Sequence, residues 1–136
     1  MATQMYVNLP VKDVQRAKDF FAHLGFRFEP KYSDANALCM IVAEDSNYVM
    51  LLAESFFQGF TKKAISDAAT TAEVLICLSC DDREHVESLV AKAIAAGGTT
   101  PMEPKDHGFM YQHGFQDLDG HQWELMYMDP NAACPG

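Results

Sequence analysis

Hydrophobic and polar positions alternate from Met5 to Val11, with Val7, Leu9 and Val11 on one face and Tyr6, Asn8 and Pro10 on the other. That is the period of a half-buried strand. Asp13 then stands where an N-cap belongs, and Val14, Ala17, Phe20, Phe21 and Leu24 follow at helical spacing until Gly25 ends the run. A helix of about three turns is predicted. Phe26 to Phe28, Ala37 to Ala43 and Tyr48 to Ala53 read as three more strands, separated by the polar turns Ser33–Asn36 and Glu44–Asn47. The first part of the chain is therefore βαβββ.

The order then restarts. Glu73 to Cys80 is again strand-like, Asp82 is again a cap, and Val86, Leu89, Val90, Ala93 and Ile94 form a second helical stripe ending at Gly97-Gly98. An offset of 69 lays Asp82 on Asp13, Leu78 on Leu9, Cys80 on Val11, Leu89 on Phe20 and Val90 on Phe21. The closing strand, Gln122 to Met128, matches Tyr48 to Ala53, with Glu124-Leu125 laid on Leu51-Leu52. An internal duplication is the economical explanation. Between the two, Pro101 and Pro104 exclude a helix, and Met102 to Phe115 is read as two short strands before the turn Asp117–Gly120. The expected fold class is α+β, one domain over residues 1–136. Module one covers about 4–54, a connector about 55–72 and module two about 73–129, their strands forming a curved mixed sheet around a concave pocket. The connector run Phe56-Phe57-Gln58-Gly59-Phe60 suits a helical turn or two, and either a lid over the pocket or a dimer anchor.

Composition adds exclusions. The 136 residues are 49% hydrophobic and 21% charged, the balance of an ordinary folded domain rather than a disordered chain. Nineteen acidic against ten basic residues give a formal net charge of −9, which repels phosphate backbones and anionic membrane surfaces, so neither nucleic acid nor membrane is an expected partner. No apolar stretch approaches the ~20 residues of a spanning helix, and no secretory signal pattern opens the chain, so a cytoplasmic location is expected. Cys39, Cys77 and Cys80 lie in apolar runs and Cys134 in a tail, the pattern of reduced thiols used as small hydrophobes. Cys77 and Cys80, three apart on a strand, point to opposite faces and cannot form a metal knuckle.

Two separated motifs resemble one known family. Asn8-Leu9-Pro10-Val11-Lys12-Asp13, with Ala17, Phe20-Phe21 and Leu24-Gly25-Phe26, is similar to the opening of the glyoxalase, bleomycin-resistance and extradiol-dioxygenase (vicinal oxygen chelate) superfamily. Phe115-Gln116-Asp117-Leu118-Asp119-Gly120-His121-Gln122-Trp123-Glu124-Leu125 resembles its closing turn and strand. More narrowly, the chain resembles bacterial lactoylglutathione lyase-like proteins, and fold likeness does not by itself establish an activity. In metal-using members the resemblance implies ligands on the first and last strand of each module. Carried over, these positions fall on Tyr6, Leu51, Leu75 and Glu124, of which only Glu124 keeps a carboxylate. One carboxylate leaves most of a coordination shell to water, so no resident metal is expected, a divalent ion being the alternative.

Glu124 is the candidate catalytic residue, because a carboxylate between Trp123 and Leu125 should be partly desolvated, the condition under which it serves as acid or base. Its competing role is a carboxylate paired with a nearby donor. Tyr6, Asn8, Leu51, Leu75, Cys77 and Met126 are the candidate ligand-binding residues: Tyr6 and Asn8 supply sparse polar groups, and the methionine-rich interior adapts to varied shapes. His107, His113 and His121 beside Asp106 are read as loop and turn histidines, Gly108 and Gly114 breaking regularity, and His23 and His85 as solvated helix residues. The expected function is a small organic molecule bound in the concave pocket by a homodimer, without glutathione-dependent lyase activity. The alternative is a metal-dependent lyase, isomerase or dioxygenase of the lactoylglutathione lyase type, using Glu124 or a bound water to move a proton.

Overall fold

A computed structural model describes residues 3–131, and the chain divides into two compact units at Ser66 and Asp67. The first carries β1 (Met5–Val11), α1 (Val14–His23), β2 (Arg27–Phe28), β3 (Ala37–Ala43) and β4 (Asn47–Ala53), followed by one helical turn, α2 (Glu54–Phe57). Its four-stranded sheet has the order β1-β4-β3-β2, with β1 parallel to β4 and the other pairs antiparallel. As the sequence predicts, the Asp13 carboxylate caps α1, accepting from the Arg16 amide at 3.0 Å. The helix lays Ala17, Phe20 and Phe21 over β3 and β4, burying them with Leu9, Val11, Leu38, Met40, Val49 and Leu51. Each of the two phenylalanines contributes about 2–3 kcal/mol by leaving water.

The second unit repeats the plan: β5 (Leu75–Ser79), α3 (Arg83–Ala95), β6 (Lys105–Asp106), β7 (Met110–Gln116) and β8 (Gln122–Met128), in the order β5-β8-β7-β6. Asp82 caps α3 by accepting from the His85 amide at 2.7 Å. Val86, Leu89, Val90 and Ala93 bury themselves against Tyr111, Phe115, Trp123 and Leu125. Ile94, expected in the same stripe, is 48% exposed, because it lies one position past the i, i+3, i+4, i+7 row that faces the sheet. The fold is α+β, tandem βαβββ, as the sequence predicts. Gly114 does not interrupt regularity: it sits inside β7, opposite Glu124 of β8.

The pairing register corrects one alignment. β1 sets Asn8 beside Met50 and Leu9 beside Leu51, whereas β5 sets Cys77 beside Glu124 and Leu78 beside Leu125. The counterpart of Glu124 in the first unit is therefore Met50. Leu51, expected to face a ligand, has no solvent exposure and shares its face with Leu9, the face that α1 covers. The slip arises because Val49, Met50, Leu51 and Leu52 are all apolar, so alternation carries no phase there.

The closing turn is a structural device. Asp117, 6% exposed, accepts from the Asp119 and His121 amides at 2.9 and 3.0 Å and, through its other oxygen, from the Trp123 indole at 3.0 Å. Gly120 completes the turn at φ +91°, and a Cβ there would stand 2.8 Å from the backbone of Ala68. No other residue fits that site without displacing the connector. Among the described residues, no helix is long and apolar enough to cross a membrane. Cys134 lies outside the described residues.

Candidate functional site

Each sheet has one face packed on its helix and one open face. In the second unit the open face carries Leu75 and Cys77 of β5, Gln122, Glu124 and Met126 of β8, and Gln112 and Gly114 of β7, because partners in register project to the same side. A cavity of about 230 Å³ lies on this face, bounded by Leu75, Gln122, Glu124, Gln112 and Gly114 and by the segment Pro101, Met102, Glu103 and Lys105. Its walls are mainly apolar.

Glu124 is part-buried, and its Oε2 accepts from the Gln112 amide nitrogen at 2.7 Å. A carboxylate only accepts, so the Gln112 amide is oriented with its nitrogen toward β8 and its carbonyl free to accept elsewhere. Cys77 stands beside Glu124 in the register; burial, then the Glu124 charge, pushes its thiol pKa up, so it remains a neutral thiol. Burial likewise lifts Cys80 to about 11, well out of the range of a reactive thiolate.

The far wall is tied down by Thr100 and by His113, which the sequence reading placed in a loop and which lies in β7. Thr100 donates to the Gly114 carbonyl at 2.8 Å, and His113 Nε2 lies 3.0 Å from the Thr100 hydroxyl and 3.1 Å from the Met102 carbonyl. A carbonyl can only accept, so His113 carries its proton on Nε2 and spends it holding this segment. The rim strand β6 is held to α3 by Arg83, which pairs with Asp106 and lies over the Tyr111 ring at 4.8 Å, while the Tyr111 hydroxyl donates to Glu87 at 2.9 Å.

Gly114 is required for the cavity. A Cβ there would meet the Trp123 carbonyl at 2.6 Å, too close for any side chain, and the backbone of β8 cannot retreat without breaking its ladder. Gly114→Ala is therefore expected to cost about 1–3 kcal/mol by overpacking, measured by urea denaturation. An unchanged midpoint would show that the strand relaxes freely.

Of the residues singled out in the sequence, Leu75, Cys77, Glu124 and Met126 share this open face, and Leu75 and Glu124 line the cavity itself. Tyr6 and Asn8 lie on the open face of the other sheet, where Tyr6 stacks on Tyr48 with ring centroids 4.8 Å apart and donates to Gln4 at 3.1 Å. Leu51 belongs to the core. Sequence reading missed Gln112, Gln122 and Gly114, although the alternation of Gln112, Gly114 and Gln116 with Tyr111, His113 and Phe115 carries the signal of a two-faced strand.

The metal that the family resemblance implies is not matched by the donors present. With the register corrected, the four positions hold Tyr6, Met50, Leu75 and Glu124: a phenol, a thioether, a hydrocarbon and one carboxylate. Hard divalent ions select several oxygen or nitrogen donors, which this set does not supply. Among the described residues no three His, Cys, Asp or Glu side chains converge as a metal site would need.

Comparison with known proteins agrees with this fold. No curated protein sequence gives a significant match. A hypothetical protein from S. aureus is 29% identical, with TM-score 0.78 over 93% of this chain and 95% of that one. A glyoxalase/bleomycin resistance protein/dioxygenase family enzyme from Burkholderia phytofirmans PsJN is 19% identical, with TM-score 0.75 over 94% and 100%. The fosfomycin resistance protein FosX from Listeria monocytogenes is 16% identical, with TM-score 0.66 over 96% of each chain. The family model of the Glyoxalase/Bleomycin resistance protein/Dioxygenase superfamily matches residues 3–125, so the chain belongs to that superfamily.

Proposed function

We propose that this protein binds a small organic molecule on the open face of its second sheet. The observation that supports this most directly is the cavity itself: mostly apolar walls, with the Glu124 carboxylate on the sheet hydrogen-bonded by Gln112 and Glu103 on the opposite segment. Sparse, fixed polar groups in an apolar recess are the usual composition of a ligand site. At about 230 Å³ the cavity is below the roughly 300–1,000 Å³ of sites for drug-sized molecules, so the occupant is compact.

The test is a fragment screen followed by amide chemical shifts. Ligands should perturb Leu75, Gly114 and Glu124 together, and hits that leave all three unmoved would sink the reading. Calorimetry with zinc, nickel, manganese and iron(II) on stripped protein is expected to show no stoichiometric binding at micromolar affinity. Retention of the Glu124 carboxylate favours the second reading, a lyase of the lactoylglutathione lyase type. It would be established by turnover of the methylglyoxal and glutathione hemithioacetal that Glu124→Gln abolishes. The protein is further read as cytoplasmic and as a homodimer, the dimer supported by the exposed, edge-to-face pair Phe56 and Phe60, with centroids 5.2 Å apart. Sedimentation at the monomer mass would remove the dimer.

A further inference from the structure

The polar groups of the cavity are matched to one kind of partner. Glu124 and Gln112 meet through the amide nitrogen at 2.7 Å, and this fixes what the pair offers a ligand. Glu124 keeps Oε1, and Gln112 keeps its carbonyl oxygen and its second N–H, so the pair on adjacent strands of the lining offers two acceptors against one remaining donor. An acceptor pair calls for a head group with more than one N–H.

Charge narrows the choice further. The cationic side chain in the lining is Lys105, which projects from β6 on the far side of Gln112; it is exposed, and two strand spacings, about 10 Å, separate β6 from β8. It leaves the Glu124 charge without a direct counter-ion. Cys77, next to Glu124 on β5, remains a neutral thiol and supplies none either. The field of a chain with net charge −9 adds attraction for a cation and repulsion for an anion. Around this head-group site, Leu75, Pro101 and Met102 provide apolar surface for the remainder of a compact molecule.

We infer that the occupant is a compact cation bearing an amidinium, guanidinium or primary ammonium head on an apolar body, the head held between Glu124 and Gln112. The inference rests on the binding reading above and specifies its ligand class.

Three nearly isosteric probes separate the possibilities: benzamidinium, neutral benzamide and anionic benzoate, each titrated by calorimetry with amide shifts of Leu75 and Gly114 reporting location. Because hydrogen bonds to a charged group are about twice as strong as neutral ones, benzamidinium should bind about tenfold more tightly than benzamide, with benzoate weakest. In Glu124→Gln, which keeps a side-chain amide for Gln112 to bond, the preference should collapse to within about twofold while the melting temperature holds. Benzamide or benzoate binding as well as benzamidinium, or a preference that survives Glu124→Gln, would overturn the ligand class and leave the pocket reading standing. If none of the three shifts Leu75 or Gly114, both readings fall.

Discussion

Leu51→Ala is expected to destabilise the protein by about 2–5 kcal/mol, whereas Met50→Ala, one residue away, should cost only about 1 kcal/mol. The contrast follows from the register. Leu51 has no solvent exposure and shares with Leu9 the face beneath α1, so truncation leaves a cavity among Phe20, Phe21 and Val49 in a close-packed core. Met50 sits on the face away from α1, half-buried beside Asn8 and Cys39, so less of its apolar surface returns to water when it is truncated. Urea denaturation of both variants decides the matter, and equal costs would mean that the strand presents both residues alike. The same pair of variants tests whether Met50 or Leu51 is the true counterpart of Glu124.

The second large effect lies at the closing turn. Asp117→Ala strips the acceptor from two backbone amides and the Trp123 indole, all in a buried setting, and each donor left unsatisfied costs about 1–3 kcal/mol. A loss on the order of 3 kcal/mol is expected, lowering the melting temperature by roughly 10 °C. Asp117→Asn keeps one oxygen for the two amides but turns an N–H toward the indole, so it should recover only part of the stability.

The acid also carries a pH signature. Burial, outweighing the His121 charge and the three donors, raises the Asp117 pKa in the folded protein. The folded state thus holds this proton more tightly than the unfolded chain, and stability from the group is full below the ordinary carboxylate range and declines as pH rises through the folded value. The stability difference between the protein and Asp117→Asn should accordingly narrow from acid toward neutral pH. A difference that widens over that range would reverse the assignment of burial as the dominant influence.

Asp117 bears on how the family motif is understood. The run Asp117–Leu125 looks in sequence like a catalytic signature, yet Asp117 faces inward and anchors a turn, while Gln122 and Glu124 reach the open face, Glu124 with the carboxylate. Similarity in this stretch therefore reports fold rather than reaction. The chemistry of this chain depends on what surrounds Glu124, and there the first neighbour is an amide from β7 rather than a set of metal donors.

Much of the fold was legible in the sequence because its determinants are local. Asp13 and Asp82 cap helices through amides three residues on, the apolar stripes of α1 and α3 recur at the helical period, and the βαβββ order occurs twice, its first strand and helix at an offset of 69. What tertiary structure alone decided is the phase and partnership of strands. Met50 and Leu51 are both apolar, so nothing local says which faces the helix; the parallel ladder between β1 and β4 does. Gln112 and Glu124 are twelve residues apart, and they meet because antiparallel pairing of β7 with β8 places their side chains on one face. Side-chain periodicity names the faces of a strand, but only hydrogen-bonded register determines which residues of neighbouring strands share one, and the binding chemistry of this protein depends on that register.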